Sequence, residues 1–146
     1  MDVCFLRRGI GKREAKVTND LDRRHAIESH FEWSGRDETK ASEIYAGDAV
    51  LEFPRGGERI RGKANILAFR STYPASLDFQ LRGTIGRGDL WVNEYVIRYD
   101  GKPSNVVGIM EFRGSEVFRE TVYVGDPWEP PAWRAQWVEL MTAGEG

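Results

Sequence analysis

Few residues in this chain have both the chemistry and the setting to form a reactive site. Glu120 is the first. In the run Glu116 to Val124 side chains alternate with period two, so Glu120 shares a face with Phe118 and Val122. A carboxyl among apolar neighbours can serve as a general acid or base; the alternative is a carboxylate paired with Arg98, Arg119 or Arg134. His30 is the second. It projects from the apolar side of a helical pattern, where an imidazole could titrate near neutral pH or could be a core histidine bonded to a backbone carbonyl. Asn93 and Tyr95 have one parity in the run Leu90 to Tyr99 and could orient a carbonyl or hydroxyl, or equally be satisfied core groups. Phe53, Trp91, Trp128 and Trp133 would supply apolar wall or ordinary core.

Other chemistry is excluded by residue type and spacing. His25 and His30 are five apart and do not share a helix face, so they do not form a zinc pair. The chain has no phosphate loop, nucleophile elbow or dinucleotide fingerprint, and Gly9-Ile10-Gly11 stands alone ahead of any element. Cys4 is the only cysteine, so no internal disulfide can form; a reducing compartment suffices, and the cytoplasm is expected. Neither a cofactor nor a metal is expected. A net charge of −2 gives no general field for nucleic acid or acidic lipid, and no apolar run reaches membrane length. Arg7, Arg8, Lys12, Arg13 and Lys16 make the first stretch basic, and residues 1–18 read as a flexible tail ahead of one domain over 19–146.

That domain must position the candidates. At 146 residues, 40% of them hydrophobic, the chain can bury one real core. A first helix is expected from Asn19 or Asp20, carrying Ile27 and Phe31 on one side; Ser34 to Asp37 reads as a stop and restart. A short second helix follows over Glu38 to Gly47, then a strand over Ala49 to Phe53 ended by Pro54. The third helix carries Ile66, Leu67 and Phe69. After it the period changes to two, with strands expected at Leu77–Ile85, Leu90–Tyr99, Asn105–Phe112 and Glu116–Val124. Helices first and consecutive antiparallel strands after is an α+β order.

Several of these stretches together resemble the SnoaL-like branch of the nuclear transport factor 2-like superfamily. They are Ile44 to Pro54, Gly57 to Gly62, Tyr99 to Pro103, Glu111 to Gly114 continuing through Glu120 and Tyr123 to Pro127, and Pro131 to Trp137. The resemblance implies a cone: a bent antiparallel sheet, rolled toward a barrel, with three N-terminal helices on its concave face and a pocket between. It also implies a family of cyclases, isomerases, hydrolases and binding proteins, so the expected function is a cofactor-independent acid–base enzyme on a small, apolar, oxygenated molecule, or a non-catalytic ligand-binding domain. In that reading Glu120 and His30 are catalytic, and Asn93, Tyr95, Trp91 and Phe53 hold the substrate. The ketosteroid isomerase triad is absent, because its base falls at Phe53, its oxyanion acid near Gly108 and its tyrosine near His30.

Both faces of the central strands are apolar, whereas three short helices can cover only one. A homodimer through the convex face is therefore expected, using Val92, Val96, Val107, Ile109 and Tyr123. The tail from Pro131, with Trp133, Trp137, Leu140 and Met141 on one helical side, is expected to dock on its own domain and close part of the cone.

Overall fold

The structure is a computed structural model that describes residues 10–141, with side chains described from Asp20 onward. Helix α1 (Ile10–Trp33) starts nine residues ahead of Asn19, so much of the expected tail is helical, and residues 1–9 lie outside the described part. Ile27 and Phe31, four apart, are buried together as the helical period requires. The helix ends where Gly35 turns the chain at φ +82; a Cβ there would stand 2.4 Å from the Leu77 carbonyl oxygen, so only glycine fits. Asp37 then caps the amide of Lys40 at the start of α2 (Glu38–Ala41).

The expected second helix is shorter than its sequence pattern. A single 3-10 turn (Ser42–Ile44) leads into β1 (Tyr45–Phe53), so Tyr45 is the first residue of a strand, not part of a helix. Strand β2 (Glu58–Arg61) was not visible in the sequence, since its residues are mostly exposed and charged. Helix α3 (Lys63–Ser71) follows, then β3 (Leu77–Arg87), β4 (Leu90–Tyr99), β5 (Lys102–Arg113) and β6 (Glu116–Gly125). Asp100 and Gly101 both have positive φ, the mirror-image turn that a two-residue hairpin between β4 and β5 needs.

The six strands lie in the order β2-β1-β6-β5-β4-β3. Neighbours are antiparallel except β1 and β6, which run parallel because the chain crosses back to set β6 beside its first strand. The sheet curves around the helices, but β2 and β3 remain as free edges. The expected barrel is therefore an open, curved sheet. Its inner face carries Trp91, Asn93, Tyr95 and Ile97 from β4 and Val106 and Met110 from β5, all buried.

One irregularity decides where Glu120 points. Phe112 pairs with Val117 and Glu111 pairs with Arg119, so Phe118 is an extra residue, a bulge in β6. Val117 and Glu120, three apart, are consequently both fully buried, while Phe118 is only half-buried, with Arg113 over its ring. The alternation expected between Glu120 and Val122 holds. Phe118 is the residue that leaves the inner face.

Arg23 fixes α1 to the sheet. Its side chain is 6% exposed, and its guanidinium donates to the Gly114 carbonyl at 2.9 and 2.6 Å, to the Gly88 carbonyl, and to Asp89 at 3.0 Å. Two hairpin turns, β3–β4 and β5–β6, are thus held against one helix. Replacing Arg23 with Ala leaves those acceptors without a buried donor, which should cost about 2–3 kcal/mol and lower the melting temperature by about 5–10 °C. A thermal melt unchanged within 1 °C would show the clamp to be idle.

Candidate functional site

Between the helices and the inner face lies a cavity of about 540 Å³. Its wall is mostly aromatic and aliphatic: Phe53, Phe69, Tyr73, Phe79 and Tyr99, with Leu77, Ile97, Val122 and Val124. Glu58 and Asp126, both exposed, mark the open side. Tyr95 and Arg70, with buried side chains, mark the inner end.

Behind that inner end sits Glu120, which is completely buried. The Tyr45 hydroxyl donates to its Oε1. Arg70 Nη2 donates to the same phenol oxygen at 3.1 Å and stands 3.7 Å from Glu120 Oε1. The other carboxylate oxygen, Oε2, has no hydrogen-bond partner, and neither has Arg70 Nε. Gly108 leaves room for this arrangement: a Cβ there would lie 3.3 Å from both Glu120 Oε2 and the Tyr95 hydroxyl. The Tyr95 hydroxyl and the free carboxylate oxygen thus both border Gly108, with no hydrogen bond between them.

The electrostatics follow from burial and from these neighbours. Burial pushes the Tyr45 phenol well above its usual range, and the carboxylate of Glu120 adds to the effect against the opposing Arg70 charge. Tyr95 is raised for the same first reason, with Glu120 again adding. Both phenols are thus protonated donors at neutral pH. Burial alone would lower Arg70, but the adjoining Tyr45 and Glu120 outweigh it and hold the guanidinium charged. The arrangement is a buried ion pair bridged by one phenol and flanked by a second.

A profile of the SnoaL-like domain matches residues 26–120. Among solved structures, an NTF-2 like protein of Burkholderia xenovorans LB400 is 40% identical, with a TM-score of 0.76, 86% of this chain covered and 99% of that one. The chain belongs to the SnoaL-like family. A candidate ketosteroid isomerase of Kribbella flavida DSM 17836 is similar in fold at 24% identity, TM-score 0.78, covering 86% of this chain and 94% of that one. So is a candidate SnoaL-like polyketide cyclase of Shewanella denitrificans OS-217, at 16% identity, TM-score 0.58, covering 70% and 89%. No curated protein matches.

In this SnoaL-like chain the expected site residues are only partly assembled. Glu120 faces inward, but its arginine is Arg70 and not Arg98, Arg119 or Arg134; Arg119 pairs with Glu52 and Arg98 with Asp78. Phe53 and Tyr95 line the cavity as expected. Asn93 and Trp91 do not. Asn93 accepts from the Thr84 hydroxyl at 3.0 Å, and the Trp91 indole donates to the Gly88 carbonyl at 2.9 Å beneath Arg24. Trp128 and Trp133, also expected in the wall, lie exposed outside it.

His30 is on the far side of Tyr45, ring edge to ring at 5.7 Å, and borders a separate hollow of about 150 Å³. Its Nδ1 donates to the Ala41 carbonyl at 2.7 Å, the core-histidine arrangement. Sequence reading missed Tyr45 and Arg70. The first was hidden by its helix-like spacing with Ala41. The second left a usable signal, since Arg70 follows buried Ile66 by four residues and so shares its helix face.

Burial lowers the pKa of His30 from 6.5, with Arg70 adding; Glu120 and the Ala41 carbonyl oppose without reversing it. The folded state then binds fewer protons here than the unfolded state as pH falls below 6.5. Stability attributable to His30 is therefore complete above that pH and is lost on acidification below it. Denaturant melts across this range should show the decline, and His30→Asn should flatten it. A slope identical in the variant would show that the acid sensitivity arises elsewhere.

Proposed function

We propose that the cavity receives a small, largely apolar, oxygenated molecule and that acid–base chemistry is performed on it at the Tyr95–Arg70 end. One observation carries this reading: an arginine–tyrosine–glutamate cluster buried beside a cavity whose remaining wall is almost entirely apolar. A buried ion pair contributes little stability compared with apolar side chains of the same volume. Chemistry is the better account of its presence.

A carbonyl oxygen at the inner end would accept from the Arg70 guanidinium, which lines the cavity. The α-proton of a ketone held there would be taken by the Tyr95 phenol oxygen as the phenol's own proton moves to the Glu120 carboxylate behind it, so Glu120 would act as the base without direct contact with the ligand. Asn93 and His30 have no contact with the ligand in this scheme; His30 supports Tyr45 from behind. The second reading is binding without turnover, and its support is that Glu120 does not itself line the cavity.

Exchange of α-protons of cyclic and aryl ketones in deuterated water, followed by NMR, separates the two. Tyr95→Phe and Glu120→Gln should each slow wild-type exchange by about 10²-fold or more while ketone affinity stays within a few-fold. Ketones that bind the wild type without exchange would favour the binding reading. Failure of every ketone to bind would remove both.

A further inference from the structure

We propose that the segment after β6 is a lid for the chain's own cavity, latched by Arg134 on the rim carboxylate Glu58. The segment runs from Asp126 to Met141. Its sequence leads to a docked helix, but Pro131 stays extended, and the stretch that follows, Ala132–Trp137, is 3-10 with no buried residue. Trp128, Trp133 and Trp137 are 74, 74 and 72% exposed. Three open tryptophans in sixteen residues form an apolar surface that water leaves unsatisfied.

The cavity has the matching need. Phe53, Phe69, Tyr73 and Phe79 in its wall are each only half-buried, so the aromatic lining meets water through the open side. Asp126 is both part of that lining and the first residue of the segment. The Ser104 hydroxyl donates to its carboxylate at 2.7 Å, and Ser104 is buried on the inner face with Val106. The segment therefore leaves β6 on the inner side. Trp128 follows two residues later, at most ~7 Å along the chain. Arg134 folds back over its ring at 5.9 Å, which keeps the 3-10 stretch beside the open side. The outer face lies behind the strands from this exit. Val92, Val107 and Tyr123 have the opposite parity there, and Val96, expected with them, is only 7% exposed.

Charge selects the side of the segment that comes down. Arg134 is its only cation, and Glu58 stands on the open side with no ion-pair partner among the described residues. Arg55, the cation near that rim, is engaged with the Val124 carbonyl at 3.0 Å. Closure brings the Arg134 guanidinium toward Glu58 and leaves Glu129 and Glu139, which the rim repels, on the water side. Tryptophans that bury roughly 150–250 Å² each then roof the aromatic wall. For the chemistry proposed above, closure would remove water from the inner end where Arg70 acts; the closure itself does not depend on that chemistry.

Paired cysteines in dilute protein under mild oxidation test this, on a Cys4→Ser background. With Ala75→Cys in the cavity wall and Ala135→Cys beside Arg134, a disulfide should form within one chain, which requires the two Cα atoms to come within ~7 Å. Val107→Cys on the outer face, paired with Ala135→Cys, should stay reduced. Arg134→Glu should slow closure of the first pair by about 2- to 5-fold, and adding Glu58→Arg should restore the rate. No ligand is added, so the outcome is independent of whether ketones bind or exchange. The lid is overturned if the first pair stays reduced with both thiols titrating as free, if it links one chain to another, or if the Val107 pair closes in its place. A rate untouched by Arg134→Glu overturns the latch.

Discussion

A carboxylate with no access to water has to be paired, and the need to pair Glu120 shapes the inner half of this protein. Its desolvation is offset by the Arg70 charge and by the Tyr45 hydroxyl. Those partners come from α3 and from the first residue of β1, so the helix layer must sit where a guanidinium can reach the sheet. Glycine at position 108 suits the same arrangement, because a Cβ there would lie 3.3 Å from the Glu120 carboxylate and from Tyr95, closer than usual side-chain contact. The bulge at Phe118 completes the constraint. It lets Val117 fill the core at one end of β6 while Glu120 and Val122 face inward at the other.

Position 108 also shows where this chain departs from the isomerase residue pattern. Where the resemblance places an oxyanion acid, there is a glycine, and the vacated space is bordered by a carboxylate from the neighbouring strand. At the position of the isomerase base, Phe53 forms cavity wall. A carboxyl group is still present at the inner end, on a different strand. On the proposed reading a phenol mediates between it and the ligand.

Much of this fold was legible because its long strands alternate strongly and its turns contain Gly, Asp and Pro at the breaks. Three hairpins and the third helix follow that pattern closely. What could not be read depends on interactions with no local signal. Strand β2 is a charged edge, Tyr45 sits at a helix-to-strand junction with helical spacing, and the parallel pairing of β1 with β6 joins residues some 70 positions apart, as with Leu51 and Glu120. The site shows the same division. Alternation placed Glu120 and Tyr95 inward, but the choice of Arg70 over three other arginines is a matter of tertiary distance. Asn93 and Trp91 have the inward parity too; they fall outside the cavity because parity selects a face, not a place along it.

Charge balance at the inner end limits what the cavity can accept. Arg70 and Glu120 neutralise each other at 3.7 Å, so the cluster offers strong local dipoles and little net charge. An anion would gain from Arg70 but would face Glu120 directly behind it and Glu58 and Asp126 at the open side. A neutral molecule with one polarisable oxygen meets no such opposition, and its apolar body would lie against Phe53, Phe69 and Phe79. The same balance accounts for both phenols: with their pKa values raised they stay protonated, and neither adds charge to the inner end.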